Sequence, residues 1–240
     1  MSSPLSTLQD LRVAVTGGTS GLGLALVRAL HAQGARVAFV ARDASRVQRV
    51  AAELAGTHGI VGDIANKTDT HRIALQINAA LGGLDVLVNN ASSLGPMPLA
   101  LLADTECEDL DAALAANLVG PFRLTKALLG SLTASARERG AALVVNISSD
   151  AAVTPYAGWG AYGASKAALL QLSRIWNEEL AEHGVRVVSF DPGDMDTPLH
   201  ALAVPDADPA SLKRPADAAR ELIAHIAAHI GANIATGVAA

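Results

Sequence analysis

Short apolar segments alternate with longer segments of helical periodicity along the whole chain. The short segments are rich in β-branched residues and almost entirely apolar, which is typical of parallel strands covered by helices on both faces. We predict strands at residues 12–16, 36–40, 85–89, 142–148 and 186–190, and a weaker strand at 59–61. Helical periodicity predicts helices at residues 22–33, 44–55, 67–81, 106–132, 162–182 and 215–229. This alternation predicts a three-layer, doubly wound α/β fold whose ligands bind beyond the carboxyl ends of the strands.

The composition favours one ordered domain over residues 1–240. Half of the residues are hydrophobic, and the chain shows neither an internal repeat nor a linker that would divide it. A lone cysteine, Cys107, argues against a disulfide framework and against a multi-cysteine zinc site. The net charge of −5 argues against general nucleic-acid binding. The first ten residues lack a signal peptide pattern and no apolar run is long enough to span a bilayer, so we expect a cytoplasmic protein.

The loop after the first predicted strand contains spaced glycines that open directly into a helix. Glycines let the main chain approach a pyrophosphate closely, and the helix N-terminus supplies free N–H groups. Dinucleotide binding is therefore predicted, with a tight turn that binds no ligand as the alternative. No Gly-Lys-Ser/Thr follows, which argues against a phosphate-transferring P-loop. The candidate cofactor residues in this loop are Gly17, Thr19, Ser20, Gly21, Leu22 and Gly23.

The end of the second predicted strand carries the signal for the choice of nicotinamide cofactor. This position faces the adenosine ribose, where a carboxylate would bind a free 2′-hydroxyl. Ala41 stands there and Arg42 follows, which favours NADP(H), with NAD(H) possible. The alternative is a solvated Arg42 with Asp43 as the ribose ligand.

Two further candidates for the adenine side, Asp63 and Ile64, follow the weak third strand. Asp63 or Asn66 could equally cap the next helix. The sequence is consistent with both alternatives, a contact with adenine and a helix cap.

A serine, a tyrosine and a lysine follow the fifth predicted strand in a pattern that suggests acid–base chemistry. Tyr162 and Lys166 are four residues apart on one helix, so the ammonium lies beside the phenol and is expected to lower its pKa. Ser149, at the end of the strand, would hold a substrate oxygen in line with the phenol. Taken alone, this spacing also fits an ordinary exposed amphipathic helix.

Taken together, these segments resemble the short-chain dehydrogenase/reductase family, in its compact single-domain form, over nearly the whole chain. Each segment is weakly specific alone, but their joint order and spacing are highly specific. The segments that carry the resemblance are Thr16-Gly17-x-x-x-Gly21-x-Gly23, Asn89-Asn90-Ala91, Tyr162-Gly163-Ala164-Ser165-Lys166 and Pro192-Gly193-x-x-x-Thr197.

The resemblance implies a Rossmann-type sheet and a nicotinamide-dependent enzyme that interconverts a small-molecule carbonyl compound and an alcohol by hydride transfer. It implies that Tyr162 transfers the proton, Ser149 fixes the substrate oxygen, and Lys166 tunes Tyr162 and binds the nicotinamide ribose. It also implies that Asn117 holds a water in a proton relay, although an asparagine at 117 could instead interrupt the long helix. The residues implied to contact the cofactor elsewhere are Asn89 and Ala91 on the adenosine side, and Pro192, Gly193 and Thr197 at the nicotinamide.

The sequence departs from the family pattern beside the implied substrate site. Asp150 directly follows Ser149, and Asp194 and His200 lie in an acidic segment after Pro192-Gly193. If these side chains face the pocket, they favour a polar or cationic substrate; the alternative is that they cap turns or face water. The long segment from 192 to 215 is predicted to be a lid or binding loop.

The C-terminal residues 235–240 lack the Asp-Gly-Gly segment common in the family, so the expected homo-oligomer is a dimer or an altered tetramer rather than the ordinary tetramer. His225 and His229 are read as a helix surface, and no metal site is predicted. The alternative function is a nucleotide-binding sensor or scaffold with little turnover. A nucleotide-sugar epimerase is set aside because the chain lacks a C-terminal substrate domain.

Overall fold

The computed structural model describes residues 8–234 and shows six parallel strands, confirming the predicted doubly wound α/β fold. The order β3-β2-β1-β4-β5-β6 reverses direction between β1 and β4. The strands are β1 Arg12–Thr16, β2 Arg36–Ala41, β3 His58–Val61, β4 Val86–Asn89, β5 Ala142–Ile147 and β6 Val185–Phe190. The C-terminal residues 235–240, on which the expected oligomeric state depends, lie outside the described residues.

Helices cover both faces of this sheet and connect its strands. The helices are α1 Gly21–Ala32, α2 Ala44–Glu53, α3 Thr70–Leu81, α4 Cys107–Leu114, α5 Gly120–Arg139, α6 Gly160–Leu180, α7 Pro198–Ala203 and α8 Pro215–Ile234. No helix within residues 8–234 is both long and apolar enough to cross a membrane.

The core forms two apolar layers because successive strand residues point to opposite faces of the sheet. On one face, Val13 and Val15 of β1 pack with side chains of α1 and α8. On the other face, Ala14 packs with side chains of α3 and α5. Strands buried in this way need apolar residues at nearly every position, which explains the unbroken apolar segments in the sequence.

The long helix predicted at 106–132 is interrupted in the structure. A π-helical turn, Ala115–Val119, joins α4 to α5, and α5 continues to Arg139. Asn117 lies in this turn, as the alternative interpretation of that residue anticipated. The segment from 192 to 215, predicted as a loop, contains the short helix α7 and a 3₁₀ turn at Pro209–Ser211.

A buried ion cluster closes the end of the sheet where β1 and β4 begin. Asp85 is 1 % exposed and accepts hydrogen bonds from the main chain and the guanidinium of Arg12. Ser135 of α5 also donates to Asp85, and Glu138 pairs with Arg12. These bonds outweigh the effect of burial and lower the pKa of Asp85. The cluster ties α5 to the end of the sheet opposite the ligand edge.

The two histidines of α8 pack against each other and against Phe190 of β6 with tilted rings. The rings of His225 and His229 are 4.3 Å apart, and Phe190 lies 5.4 Å from His225. They are thus partly covered rather than on an open helix surface. Within residues 8–234, His, Cys, Asp and Glu side chains form no group of three suited to a metal ion.

Candidate active site

A cleft of about 1120 Å³ opens at the carboxyl ends of the strands, where the strand order reverses. The loops after all six strands contribute to its wall. The predicted site residues that line it are Gly17, Thr19, Ser20, Gly21, Leu22, Arg42, Asp63, Ile64, Ala91, Ser149, Tyr162, Lys166, Pro192, Gly193 and Thr197. Three predicted residues, Gly23, Asn89 and Asn117, do not line the cleft.

The glycine loop after β1 packs so closely on the loop after β4 that side chains are excluded. Gly17 has a φ of +71°, and a Cβ there would lie 2.8 Å from Nδ2 of Asn90. A Cβ on Gly23 would lie 2.2 Å from the Gly17 carbonyl oxygen. Gly23 therefore allows the helix to approach the loop rather than contacting a ligand. The resulting open main-chain surface fits the pyrophosphate of a dinucleotide.

A polar cross-link holds these two loops in place. Nδ2 of Asn90 donates to the Thr16 carbonyl at 2.8 Å, and Oγ1 of Thr16 accepts from the main-chain N–H groups of Asn90 and Ala91 at 3.0 Å. Thr16 and Asn90 were part of the recognised segments but were not predicted as site residues. The sequence feature that could have indicated them is the presence of polar residues at the ends of two buried strands.

Asn89 faces the core rather than the adenosine side of the cleft, which corrects its predicted placement. Its Nδ2 donates to Oδ1 of Asn146 at 2.8 Å and to Oγ1 of Thr125 at 3.2 Å, and the residue is 3 % exposed. Asn89 and Asn146 are register partners on β4 and β5. Since the strand places alternate side chains on opposite sides, the next residue, Asn90, lines the cleft instead.

Two arginines line the cleft near the carboxyl end of β2. Arg42 and Arg46 both line it, while Asp43 caps α2 by accepting from the main-chain N–H groups of Ser45 and Arg46 at 2.9 and 3.1 Å. The hydroxyl of Ser45 also donates to Asp43, and these bonds lower the pKa of the carboxyl. The carboxylate of Asp43 is thus engaged at the helix start. Arg46 lies on α2, beyond the strand end, and is not among the predicted cofactor residues.

The turn after β3 places Asp63 and Ile64 in the cleft wall. Oδ1 of Asp63 accepts from the Ala65 main-chain N–H at 2.9 Å, and Asn66 likewise closes a turn onto Thr68. The alternative in which either residue caps the following helix is wrong, because α3 begins after Asp69. The Asp63 side chain thus closes a turn in the cleft wall.

The predicted acid–base residues lie together in the wall of the cleft. Ser149 follows β5, and α6 carries Tyr162 and Lys166 on one face, with Nζ of Lys166 5.5 Å from the centroid of the Tyr162 ring. Nζ donates to the main-chain oxygen of Ile147 at 2.8 Å, which anchors the lysine to β5. A phenol, a hydroxyl and an ammonium group therefore lie on one side of the cleft.

Burial controls the pKa values of this group. It lowers the pKa of Lys166 to about 8. It also raises the pKa of Tyr162, and the hydroxyls of Ser149 and Ser92 offset only part of this effect. The expectation that Lys166 lowers the Tyr162 pKa is therefore not met in this structure. Loss of hydration by the buried phenolate outweighs the favourable interactions.

Asn117 lies behind the cleft wall with its side-chain amide fully hydrogen-bonded. Oδ1 accepts from the Ser93 main chain at 2.8 Å and from the Ser92 hydroxyl at 3.0 Å. Nδ2 donates to the Ser93 carbonyl at 2.7 Å and to the Ser165 hydroxyl at 2.8 Å. An amide has two donor hydrogens and two acceptor positions, so this side chain has no capacity left for a water. The predicted water relay would require the main chain of the π turn.

Aromatic and acidic side chains line the cleft beside Tyr162. The ring centroid of Trp159 lies 5.7 Å from that of Tyr162 and 6.4 Å from that of Tyr156, and all three residues line the cleft. Three side chains whose orientation the sequence left open also line it. These are Asp150, Asp194 and His200, with Nε2 of His200 3.8 Å from Oδ1 of Asp194.

The arrangement supports reversible proton transfer beside a dinucleotide-sized channel. The loop from β6 to α7 closes the far side, where Oγ1 of Thr197 accepts from the His200 main-chain N–H at 3.2 Å. The same cleft is lined by Ser149 and Tyr162 and by Arg42 and Arg46. A substrate oxygen held at Ser149 would thus meet the phenol.

Comparison with known proteins identifies related sequences over most of the chain. A family model described as short chain dehydrogenase matches residues 12–208. A serine 3-dehydrogenase from Agrobacterium fabrum is 36 % identical over 187 residues, which is 77 % of this chain and 72 % of that protein.

Solved structures agree with this match. A 3-ketoacyl-(acyl-carrier-protein) reductase from Brucella melitensis, complexed with NADH, is 26 % identical with a TM-score of 0.83, covering 90 % of each chain. A short chain dehydrogenase from Burkholderia cenocepacia, in complex with NADP, is 29 % identical with a TM-score of 0.79, covering 92 % of this chain and 91 % of the other.

Proposed function

Because the chain belongs to the short-chain dehydrogenase family and is thus an oxidoreductase, we propose that it is an NADP(H)-dependent enzyme interconverting a small polar alcohol and its carbonyl compound. The observation that carries this proposal is the grouping of Ser149, Tyr162 and Lys166 in one cleft with the glycine loop. A nicotinamide bound there supplies or accepts the hydride. The chain's own groups handle the proton and the substrate oxygen.

The preference for NADP(H) rests on the charges at the adenosine end. Ala41 offers no carboxylate to a ribose hydroxyl, while Arg42 and Arg46 offer two cations to a 2′-phosphate. Asp43, the alternative ribose ligand, caps α2 and pairs with Nε of Arg46 at 3.4 Å. Solved relatives bind NADH in one case and NADP in another, so the side chains of this cleft carry the argument.

Each catalytic side chain has a role that follows from its surroundings. The phenol of Tyr162, with its raised pKa, is protonated near neutral pH and donates to the substrate oxygen during reduction. Ser149 orients that oxygen. Lys166, anchored on the Ile147 carbonyl, places a cation beside the phenol that favours its ionised form during oxidation. Asn117 fixes the loop that carries Ser92 and Ser93.

A polar substrate fits the side chains around the reacting position. Asp150, Asp194 and His200 share the substrate end with Tyr156 and Trp159, so a small polar molecule finds more partners there than a long acyl chain does. The serine 3-dehydrogenase relative is named for a hydroxy amino acid of this kind. Serine and related β-hydroxy acids are therefore the first alcohols to test.

The test combines binding and turnover. Titration with NADPH and NADH, followed by the fluorescence of Trp159 and Trp176, should show tighter NADPH binding, and the NADP⁺ complex should oxidise at least one alcohol of the panel. Arg42→Asp should weaken NADPH binding by about tenfold or more, as expected for a lost charged hydrogen bond, and spare NADH. Tyr162→Phe should abolish turnover but keep NADPH binding.

Two results would contradict the proposal. Equal affinity for both cofactors in the wild type and in Arg42→Asp would remove the NADP(H) assignment. Tight NADPH binding without turnover of any alcohol or carbonyl compound would favour the sensor or scaffold function instead.

A further inference from the structure

Three carboxylates act on the two phenols that line the cleft. The Tyr156 hydroxyl donates to Oδ2 of Asp150 at 2.6 Å, and this bond is the main cause of the raised pKa of Tyr156, to which the charge of Asp194 adds. Besides burial, the charges of Asp191 and Asp150 raise the pKa of Tyr162. All three carboxylates line the cleft. The space beside the two phenols therefore has a negative electrostatic potential.

The positive side chains of the cleft are engaged or distant from these carboxylates. Among residues 8–234, the basic residues that line it are Arg42, Arg46, Lys166 and His200. Nζ of Lys166 is bonded to the Ile147 carbonyl, and Nε2 of His200 lies 3.8 Å from Oδ1 of Asp194. The two arginines follow β2, three strand intervals from β5, and at about 4.8 Å per interval these strand ends are about 14 Å apart. None of these four cations is free to bind an anionic substrate group beside Tyr162.

Aromatic rings form the wall next to Asp150. The ring centroid of Trp159 lies 6.4 Å from that of Tyr156 and 5.7 Å from that of Tyr162. The face of an aromatic ring attracts a cation, and the face of tryptophan does so most strongly. Nζ of Lys166 lies over the Tyr162 ring at 5.5 Å, which leaves the other two rings for a ligand. A carboxylate beside two aromatic rings suits an ammonium group better than a neutral or an acidic one.

We propose that the substrate is a vicinal amino alcohol whose ammonium group binds at Asp150 beside the rings of Tyr156 and Trp159. The inference rests on the proposed function and narrows its small polar alcohol to a cationic one. Oγ of Ser149 lies 3.0 Å from Oδ1 of Asp150, and the substrate oxygen is proposed to bind at Ser149. That oxygen is thus within about 6 Å of the carboxylate, the length of two hydrogen bonds. An amine on the carbon next to the reacting carbon lies within this distance, so Asp150 determines specificity.

Three alcohols that differ in one terminal group test the inference. 1-Aminopropan-2-ol, butan-2-ol and 3-hydroxybutanoate carry an ammonium, a methyl and a carboxylate group on the same propan-2-ol frame. In each oxidation the hydride passes from the carbinol carbon to NADP⁺ and the hydroxyl proton passes to ionised Tyr162, so the bonds that break are the same. Near neutral pH, where an aliphatic amine is protonated, kcat/KM should be about tenfold or more higher for 1-aminopropan-2-ol than for butan-2-ol, and lowest for 3-hydroxybutanoate.

Binding gives a readout that does not depend on turnover. In the NADP⁺ complex of Tyr162→Phe, the three alcohols should bind in the same order, measured by the fluorescence of Trp159 and Trp176. Failure of all three to bind and to react, while another alcohol is oxidised, overturns the inference.

Two matched variants test the role of the carboxylate. Asp150→Asn keeps the size of the side chain and removes its charge, and it should lower the ratio of kcat/KM for 1-aminopropan-2-ol to that for butan-2-ol by about tenfold. The ratio cancels any change at Ser149 that affects both substrates equally. Glu178→Gln removes the same charge from an exposed position of α6 that does not line the cleft, and it should leave the ratio unchanged. An unchanged ratio in Asp150→Asn, or an equal fall in Glu178→Gln, overturns the inference.

The failure of this inference is distinguishable from the failure of the proposed function. Oxidation of butan-2-ol or 3-hydroxybutanoate with a kcat/KM at least equal to that of 1-aminopropan-2-ol overturns the inference and leaves the oxidoreductase function in place. If the wild type does not bind NADPH, or turns over no alcohol or carbonyl compound, the proposed function fails, and this inference fails with it.

Discussion

Replacing Asn117 with alanine tests whether its side chain holds the cleft wall together or binds a catalytic water. The change removes four hydrogen bonds that link the π turn to the loop after β4 and to α6. The Ser92 hydroxyl lies at the cleft and can pair with water, and Ser165 keeps its bond to the Tyr162 carbonyl. Only the main-chain N–H and carbonyl of Ser93 lose their partner.

Two unpaired main-chain groups at about 1–2 kcal/mol each predict a loss of about 2–4 kcal/mol in the free energy of unfolding. Urea titration at neutral pH measures this loss, and NADPH affinity should fall because the loop after β4 forms part of the cleft. Asn78→Ala is the matched control, since Asn78 makes one side-chain bond, with Ser131 at 2.7 Å, far from the cleft. It should cost about 1 kcal/mol and leave NADPH affinity unchanged. Lost turnover in Asn117→Ala with wild-type stability and NADPH affinity would refute this reasoning and favour the water role.

Two further predictions concern the glycine loop and the buried lysine. Gly23→Ala should weaken NADPH binding by about tenfold or more, because its Cβ would meet the Gly17 carbonyl. As a control, Gly130→Ala, which has open space around it in α5, should raise the free energy of unfolding by about 0.5–1 kcal/mol. Unchanged NADPH binding in Gly23→Ala would contradict the packing argument. Between a pH of about 8 and the ordinary lysine value of 10.5, the unfolded chain binds a proton that native Lys166 has released, so stability rises with pH in that window. The wild-type free energy of unfolding minus that of Lys166→Met should therefore rise by up to about 1.4 kcal/mol per pH unit, and a flat difference measured by urea titration would contradict the lowered pKa.

The fold was predictable because its signals are local. Each strand is a short apolar segment in the sequence, and the glycines between β1 and α1 indicate a turn, where Gly17 and Gly21 have positive φ values that other residues rarely adopt. The break between α4 and α5 was left open, because the side-chain partners of Asn117 lie 24 to 48 residues away in sequence. Such a turn is stabilised by tertiary hydrogen bonds, which periodicity does not reveal.

The site was predictable to the level of loops but not of side-chain directions. The rule that ligands bind beyond strand ends predicts a shared site for Ser149, Tyr162 and Lys166, and all three line one cleft in the structure. Whether Asn89 or Asn90 faces that cleft depends on the alternation of side chains along the strand, because a shift of one residue moves each side chain to the opposite face. The Tyr162 pKa is raised by burial under segments distant in sequence. A prediction from the neighbouring Lys166 alone therefore has the wrong direction for the pKa shift.

With the proposed NADP(H) preference, the cap that Asp43 forms on α2 limits how this protein could change its cofactor during evolution. If Asp43 turned toward a ribose, α2 would lose the acceptor for its first N–H groups, a change worth about 0.5–2 kcal/mol in helix stability. A substitution at position 41 would break no side-chain hydrogen bond, since alanine makes none. A lineage moving toward NAD(H) would therefore gain a carboxylate at position 41 and keep Asp43 unchanged. The cap at the start of a surface helix thus limits which substitutions could change the coenzyme preference without a loss of helix stability.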